Sequence, residues 1–206
     1  MSHELKTPLQ GIIGSAELLG SGMVKEEDEA RFLGHIRKEA ARLVNLIEDI
    51  IRLSQLDEGV ELPKENVDIL ELAADVKAIL ASSAAEKHVA VEVTGAGFCV
   101  QGVRRLLHEV LYNLCDNAIK YNAPGGSVTI HAENNCLMVK DTGIGILAEH
   151  KDRIFERFYR VDKSHSKQSG GTGLGLSIVK HAVAYHHASI TLDSTPGVGT
   201  TITVQF

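Results

Sequence analysis

Apolar side chains in the first 57 residues recur at alternating intervals of three and four, which is the spacing of a helical coiled-coil seam. Two such runs are separated by Gly20-Ser21-Gly22, and the acidic run from Glu26 to Glu29 suits the start of a second helix. The pattern predicts a helical hairpin whose second arm spans about Asp28 to Leu56. The predicted seam consists of Leu5, Leu9, Ile12, Ala16 and Leu19 in the first arm and Leu33, Ile36, Ala40, Leu43, Ile47, Ile50 and Ser54 in the second.

The predicted hairpin cannot cover both sides of its own seam. Two hairpins that pair into a four-helix bundle would cover it, so we expect a homodimer. The alternative is that the seam packs against the rest of the same chain.

Beyond Gly59 and Pro63, helix-like and strand-like patterns mix, which predicts a boundary between a domain of residues 1–58 and a domain of residues 59–206. The pair Asn134-Asn135 favours a tight turn between two strands. Strands interleaved with helices on one side predict an α+β chain, in which a helical hairpin precedes an α/β sandwich. The predicted helices are 67–85, 104–121 and 174–185, and the predicted strands are 89–93, 128–132, 137–139, 190–192 and 201–204.

Composition excludes several classes of protein. Hydrophobic residues make up 44% of the 206 residues and charged residues 23%, as in globular proteins. The formal net charge of −6 argues against a nucleic-acid binder, which is typically basic. No apolar run approaches the ~20 residues of a membrane helix, and no basic-then-apolar leader opens the chain. Cys99, Cys115 and Cys136 form no CxxC pair, which favours thiols in a reducing cytosol.

Two glycine-rich runs, Asp141 to Gly145 and Gly170 to Gly175, are candidates for binding phosphate, and the second leads into a predicted helix. Glycine lets backbone N–H groups approach a phosphate, and a helix N-terminus adds about half a positive charge. Neither common phosphate motif fits. Leu176 stands where a Walker A loop needs lysine, and Ile178 stands at the last glycine of a GxGxxG pattern.

Amide and basic side chains lie close to these runs. Asn113 and Asn117 are four residues apart on a predicted helix and share a face, with Lys120 and Tyr121 one turn further along. An asparagine carbonyl is a hard oxygen ligand that suits Mg²⁺. Residues 151–168 carry six basic side chains against three acidic ones, which predicts a lid that meets phosphate charge.

Four strings of the second domain carry a family resemblance. NLCDNAIKY, DTGIG, FERFYR and GGTGLGLSIVK resemble, in order and spacing, the N, G1, F and G2 boxes of the GHKL ATPases, and specifically of bacterial sensor histidine kinases. The string from Thr195 to Thr200 resembles the last glycine box of that family. The resemblance implies a GHKL-type sandwich that binds ATP and Mg²⁺.

The resemblance implies a role for each motif position. Asp141 would accept a hydrogen bond from the adenine amine, which favours ATP over GTP, and Asn117 would hold Mg²⁺ with Asn113 as helper. Lys120 and one or more of the basic lid residues would contact phosphates, and the glycines of the G2 box would bring the lid end against the triphosphate. The other implied nucleotide-binding residues are Lys120, Tyr121, Gly143, Gly145, Arg157, Arg160, Lys163, Gly171, Thr172, Gly173, Leu174 and Gly175.

The first residues resemble a further motif of the family. The string SHELKTPL resembles the H box, which makes His3 the implied phosphoacceptor. On a helix, His3 lies about 200° from the seam position Leu5 and points outward, and Pro8 removes a hydrogen bond to the carbonyl of Glu4. A zinc HExxH site is excluded because Thr7 stands at its second histidine.

The H box implies an activity. The neutral imidazole of His3 would attack the γ-phosphorus while Glu4 accepts the proton of the other ring nitrogen. The phosphohistidine would then donate to an aspartate of a response-regulator receiver domain. Thr7 would orient water for dephosphorylation of that regulator, so the resemblance implies both kinase and phosphatase activity.

Two other classes of function stay open at this point. The chain could be a non-catalytic dimeric scaffold that changes shape on binding nucleotide, or an ATPase of the chaperone or mismatch-repair type, although the latter leaves the string from Ser2 to Leu9 unexplained. We expect a cytoplasmic fragment without nucleic-acid partners, whose membrane contact runs only through segments upstream.

Overall fold

The computed structural model describes residues 2–57, 61–161 and 172–206, and for residues 2–4 and 56 it describes the backbone alone. Helix α1 (Ser2–Gly20) and helix α2 (Glu26–Asp57) form an antiparallel hairpin. Four acidic residues, Glu26 to Glu29, occupy the first turn of α2, where the positive end of the helix dipole favours them. The predicted hairpin is therefore confirmed, with a second arm slightly longer than expected.

The rest of the chain forms an α/β sandwich, named here as residues 61–161 and 172–206. A two-stranded antiparallel sheet (β1–β3) and a five-stranded sheet of order β2-β4-β5-β7-β6 accompany the helices. The elements are β1 (Glu65–Asp68), α3 (Ile69–Glu86), β2 (Ala90–Thr94), β3 (Cys99–Gly102), α4 (Arg104–Lys120), β4 (Ser127–Glu133), β5 (Cys136–Asp141), α5 (Ala148–Lys151), α6 (Gly175–Tyr185), β6 (Ser189–Thr195) and β7 (Gly199–Gln205).

The larger sheet is mixed, because β2 and β4 run parallel while all other neighbours run antiparallel. Asn134 and Asn135 join β4 to β5 with φ values of 53° and 58°. Two successive positive φ angles define the type I′ turn that matches the twist of a hairpin, and asparagine tolerates them. The predicted tight turn is confirmed.

One apolar core lies between the large sheet and its helices. Along β4, Val128, Ile130 and Ala132 are buried while the intervening residues are partly exposed, so only one sheet face is covered by helices. This core fixes the positions of strands β5 and β7. The loop after Asp141 leaves β5, and the loop before Gly199 leads into β7. Its helical members come from α3, α4 and α6 and include Leu72, Val76, Leu106, Leu111, Ile119, Val179 and Val183.

The apolar positions of α2 divide among several faces, which corrects the single predicted seam. Leu46 and Leu53, which the seam omitted, are each 3% exposed and pack against the sandwich. Leu33 and Ile47, which the seam included, are 57% and 43% exposed. The straight α-helix repeat of 3.6 residues drifts relative to a heptad, so a long helix turns several faces outward. The alternative expectation, that the hairpin packs against the rest of the same chain, is therefore correct in part.

Helix α1 departs from its predicted seam in the same way. Leu9 is exposed, whereas Pro8 and Ser15 are buried, and the Ser15 hydroxyl lies 3.2 Å from Nδ1 of His35 on α2. Among the described residues, no helix is long and apolar enough to cross a membrane.

Candidate nucleotide-binding site

Asp141 ends strand β5, and its carboxylate is held by the backbone of two neighbouring segments. Oδ1 accepts hydrogen bonds from the N–H groups of Gly143 at 2.8 Å and Thr200 at 3.1 Å. Burial raises the pKa of Asp141 above its ordinary value, and these two N–H donors oppose that rise. Within the described part of the chain, Oδ2 has no hydrogen-bond partner, so this oxygen can accept a hydrogen bond from a ligand.

The loop that follows Asp141 turns back against the end of α4. The N–H of Ile144 donates to the carbonyl of Tyr121 at 3.0 Å, which joins the G1 string to the N string. Gly145 has a φ of +67°, and a Cβ there would collide with the carbonyl of Thr195. This position therefore requires glycine.

Asn113 and Asn117 share one face of α4, as predicted from their spacing. The amide NH₂ of Asn113 donates to the carbonyl of Glu109 at 2.8 Å, which leaves its oxygen facing the first residue of α6, Gly175. Within the described ranges, the amide of Asn117 has no hydrogen-bond partner. Two uncommitted carbonyl oxygens fit the hard oxygen donors that Mg²⁺ takes from proteins.

The two residues at the end of α4 behave differently from each other. Lys120 donates to Asp116, one turn back, at 2.6 Å, so its ammonium is already paired. Tyr121 caps the helix and is 46% exposed. A phosphate would therefore have to compete with Asp116 for Lys120.

The described part of the G2 box forms the entry to α6. Gly173 has a φ of +75° and accepts a hydrogen bond at its carbonyl from the N–H of Phe158 at 2.9 Å. Leu174 is fully buried, and Gly175 begins the helix beside Asn113. Two predicted site residues, Gly171 and Lys163, lie outside the described residues.

Arg157, a predicted phosphate contact, is bound to the end of helix α2. Its Nη2 donates to both carboxylate oxygens of Asp57, at 2.8 and 2.6 Å. The ring of His181 lies beside both groups, with Nε2 at 3.3 Å from Nη2 of Arg157 and Nδ1 at 3.2 Å from Oδ1 of Asp57. The guanidinium lowers the pKa of Asp57, while burial and then the Arg157 charge lower the pKa of His181. The second candidate, Arg160, lies against Gly173.

A second polar contact joins the G2 box to α2. The hydroxyl of Thr172 donates to Oδ2 of Asp49 at 2.9 Å. Burial raises the pKa of Asp49, and the Thr172 hydrogen bond opposes that rise. Between these contacts, the side chains of Leu46, Leu53, Leu174 and Ile178 form a separate apolar cluster, joined by Leu5, Ile50 and Phe158.

Glu109 of α4, which the sequence analysis did not single out, lies where α4 meets α2. Its Oε1 lies 3.6 Å from Nε of Arg52, while Oε2 is buried and has no hydrogen-bond partner in the described structure. Burial raises the pKa of this carboxyl, and Arg52 opposes the rise. No motif spacing could have found Glu109, because its setting depends on how the hairpin meets the sandwich.

The three residues of the predicted phosphoacceptor motif lie in the first two turns of α1. The backbone of His3 and Glu4 is helical, and Thr7 is exposed. Pro8 is accommodated inside the helix and packs inward. The structure places this motif on the hairpin, at the helix that also contributes Leu5 to the cluster with Leu174.

The family model described as histidine kinase-, DNA gyrase B- and HSP90-like ATPase matches residues 102–206, and the His Kinase A phospho-acceptor domain matches residues 1–59. The first match covers just over half of the chain. The chain therefore belongs to the histidine kinase-, DNA gyrase B- and HSP90-like ATPase family. Both matches together define the core of a sensor histidine kinase, which confirms the resemblance and the predicted fold class.

One curated relative agrees with this assignment, and two solved structures share the fold. The sensor-like histidine kinase SenX3 of Mycolicibacterium smegmatis is 39% identical over 217 residues, covering 100% of this chain and 55% of its own. The histidine kinase AdeS of Acinetobacter baumannii has a TM-score of 0.80 at 24% identity, covering 98% of this chain and 95% of that chain. The histidine kinase ThkA, solved with the response regulator protein TrrA, has a TM-score of 0.77 at 21% identity, covering 98% of this chain and 58% of that chain.

Proposed function

We propose that this chain binds Mg-ATP in the sandwich, phosphorylates itself on His3 and passes the phosphoryl group to an aspartate of a response regulator. The observation that carries the proposal is the convergence of three motifs on helix α4. Ile144 of the G1 loop hydrogen-bonds Tyr121 at one end of this helix, and Gly175 of the G2 box meets Asn113 near its middle. The chain spans about half the length of the curated relative SenX3, so the whole protein's activity belongs to this proposal.

The nucleotide is recognised by groups of distinct chemistry. Oδ2 of Asp141 accepts a hydrogen bond from the adenine amine, and a guanine carbonyl at the same place would be repelled. The oxygens of Asn117 and Asn113 hold Mg²⁺, which when bound neutralises charge on the phosphates. Lys120 and Arg157 reach phosphate oxygens after they leave Asp116 and Asp57. For Lys163 and Gly171, the proposed role in nucleotide binding rests on the motif alone.

The transfer itself needs little covalent chemistry from the protein beyond His3. A lone pair of the neutral imidazole forms a bond to the γ-phosphorus as the bond to the bridging β-phosphate oxygen breaks and ADP leaves. Glu4 accepts the proton from the other ring nitrogen, which keeps the attacking nitrogen in its nucleophilic form. The proposal requires the sandwich to move relative to α1, because Arg157 and Thr172 are engaged with α2.

The partners and location belong to the same proposal. ThkA is solved in complex with a response regulator protein, which supports a receiver-domain partner for this related chain. We assign Thr7 to phosphatase action on that partner, which is consistent with its exposed position on α1. The phospho-acceptor match and the exposed apolar face of α2 support a homodimer.

A domain boundary and a cellular location complete the proposal. We place the domain boundary at residues 58 and 59, because α2 ends at Asp57 and the sandwich begins its first strand at Glu65. A cytoplasmic location, with membrane anchoring through other segments of a longer protein, is consistent with the greater length of SenX3.

The deciding experiment is incubation with γ-labelled ATP followed by acid and base treatment. We expect label that is lost in acid and survives base, as for phosphohistidine, and complete loss of label in His3→Gln with ATP binding unchanged. His187→Gln, at an exposed histidine on the sandwich, is the matched control and should keep the label. Label retained in His3→Gln, or ATP hydrolysis without any labelled protein, would overturn the proposal.

A further inference from the structure

The loop of residues 141–146, which carries Asp141, lies between two buried polar side chains to which the family motifs give no role. Asn122 is 7% exposed and lies on one side of the loop, while Ser194 is 4% exposed and lies on the other. Burying a polar side chain costs free energy unless each of its groups finds a partner. The hydrogen-bond partners of Asn122 and Ser194 therefore show which segments each residue holds in place.

Asn122 joins the loop to the start of strand β4. Its amide NH₂ donates to the carbonyl of Ser127 at 3.0 Å, and its oxygen accepts from the hydroxyl of Thr142 at 3.3 Å and the N–H of Ala123 at 3.1 Å. The same Thr142 oxygen accepts from the N–H of Ser127 at 2.9 Å. The residue directly after Asp141 is thereby fixed to two elements at once.

Ser194 joins the other end of the loop to the hairpin between β6 and β7. Its hydroxyl accepts from the N–H of Ile146 at 2.9 Å and donates to the carbonyl of Gly199 at 3.0 Å. It also lies 3.0 Å from the hydroxyl of Thr200, whose N–H donates to Oδ1 of Asp141. Ser194 therefore fixes both the far end of the loop and one of the two donors that orient Asp141.

We propose that Asn122 and Ser194 are positioning residues that aim the free oxygen of Asp141 and so set the preference for adenine over guanine nucleotides. This inference rests on the proposed function, because it assumes that Asp141 reads the base. Neither side chain touches the nucleotide in this scheme. Each acts by holding the backbone on one side of the carboxylate.

The expected size of the effect follows from how strictly a hydrogen bond depends on geometry. A hydrogen bond weakens steeply as its angle falls below ~120°, and a bond to a charged acceptor is among the stronger ones. Release of one side of the loop should therefore lower adenine preference by about tenfold, without removing binding of the triphosphate. A purely structural role would weaken ATP and GTP binding by the same factor.

The test measures the dissociation constants of ATP and GTP for the whole chain and takes their ratio. Asn122→Ala, Ser194→Ala and Thr142→Val should each lower the ATP preference by about tenfold relative to the unaltered chain. The ratio comes from one preparation of protein, so a smaller folded fraction cancels. Thr142 is exposed, so Thr142→Val tests the Asn122 side even where Asn122→Ala does not fold. Ser15→Ala, at a buried serine of the hairpin, is the matched control and should keep the ratio.

The same variants combined with Asp141→Asn show whether the change in ATP preference depends on Asp141. In Asp141→Asn, the ATP preference should already be lost, and adding Asn122→Ala or Ser194→Ala should change the ratio no further. An unchanged ratio in all three single variants, or a further change in the Asp141→Asn background, overturns the inference alone. An unaltered chain that binds no nucleotide, or binds ATP and GTP equally, overturns the proposed function and this inference with it.

Discussion

Asn117 stands out among the residues of α4 because its amide is partly buried and, in the described ranges, unpaired. A side-chain amide in this state has lost some of its hydration without gaining a protein partner. Asn113, one turn earlier, donates a hydrogen bond from its NH₂ to the carbonyl of Glu109, which leaves its side-chain oxygen for a ligand. The two side chains therefore offer oxygens from one helix face, which is the chemistry a magnesium ion requires.

Asn117→Ala should remove most of the gain in ATP affinity that Mg²⁺ confers. Loss of a ligand to a charged group costs about 2 kcal/mol, or about thirtyfold in affinity. Titration calorimetry with and without EDTA measures this gain directly, and the affinity in EDTA should stay the same. Asn66→Ala, at an exposed asparagine of β1, is the control. Equal loss of affinity with and without Mg²⁺ would show that Asn117 does not serve the metal.

At the scale of elements, the hairpin carries apolar side chains that the sandwich leaves uncovered. Val44, Ile47 and Ile51 follow one another at intervals of three and four on α2, and all three are exposed. Leu9 and Ile13 are exposed on α1. Apolar residues at this spacing are typical of a surface that packs against other helices.

Ile47→Glu should convert the expected dimer into a monomer. Burial of an isoleucine contributes about 1.5–3 kcal/mol, and a two-fold interface contains the residue twice, so the dimer dissociation constant should rise by at least about a hundredfold. Sedimentation equilibrium measures this constant. Ile79→Glu places the same change at another exposed isoleucine, on α3, and should leave association unaltered. A monomeric unaltered chain, or equal effects of both changes, would contradict the assignment of this face.

Some elements could be predicted from the sequence and others could not, for local reasons. Helix α4 and the hairpin of β4 and β5 show strong periodicity and a turn signal at Asn134 and Asn135, so their positions agree with the prediction within one or two residues. Strands β1 and β3 have only four residues each and pair across more than thirty positions. Runs this short carry too few positions for an alternating pattern to be recognised.

At the scale of the whole molecule, α2 serves both the hairpin and the sandwich. The Leu46 and Leu53 side chains supply an apolar contact to α6, and Asp49 and Asp57 supply polar contacts to Thr172 and Arg157. A phosphate that binds Nη2 of Arg157 competes with Asp57, whose two carboxylate oxygens occupy this donor. Nucleotide binding and closure of the hairpin on the sandwich should therefore oppose each other through this side chain.

Asp57→Asn should strengthen nucleotide binding by a modest factor. An exposed ion pair is weak, so its removal should raise the ATP affinity by up to about fivefold, and more at low salt than at high salt. A nucleotide titration at two salt concentrations measures both effects. Asp28→Asn breaks a comparable exposed pair with Arg31 at the other end of α2 and is the control. Unchanged affinity in Asp57→Asn would remove Arg157 from the phosphate contacts.

The sequence predicts residues of a nucleotide site, but not the contacts that these residues make in the structure. Motifs name Arg157, Thr172 and Lys120 because phosphate chemistry restricts residue type and spacing. The carboxylates that bind two of them, Asp57 and Asp49, precede Arg157 and Thr172 by 100 and 123 positions. Such contacts depend on how two folded units meet, and no local pattern of residues reports that.

Asp49 and Asp57 lie eight residues apart on one rigid helix, which corresponds to about 12 Å along its axis. Arg157 and Thr172 are bound to these two points, and they flank the basic and glycine-rich part of the chain on either side. As long as both contacts are present, the distance between those flanks is set by the rise of α2 and not by the chain between them. A hairpin that twists or bends would then change the separation of Arg157 and Thr172 without any contact to a nucleotide.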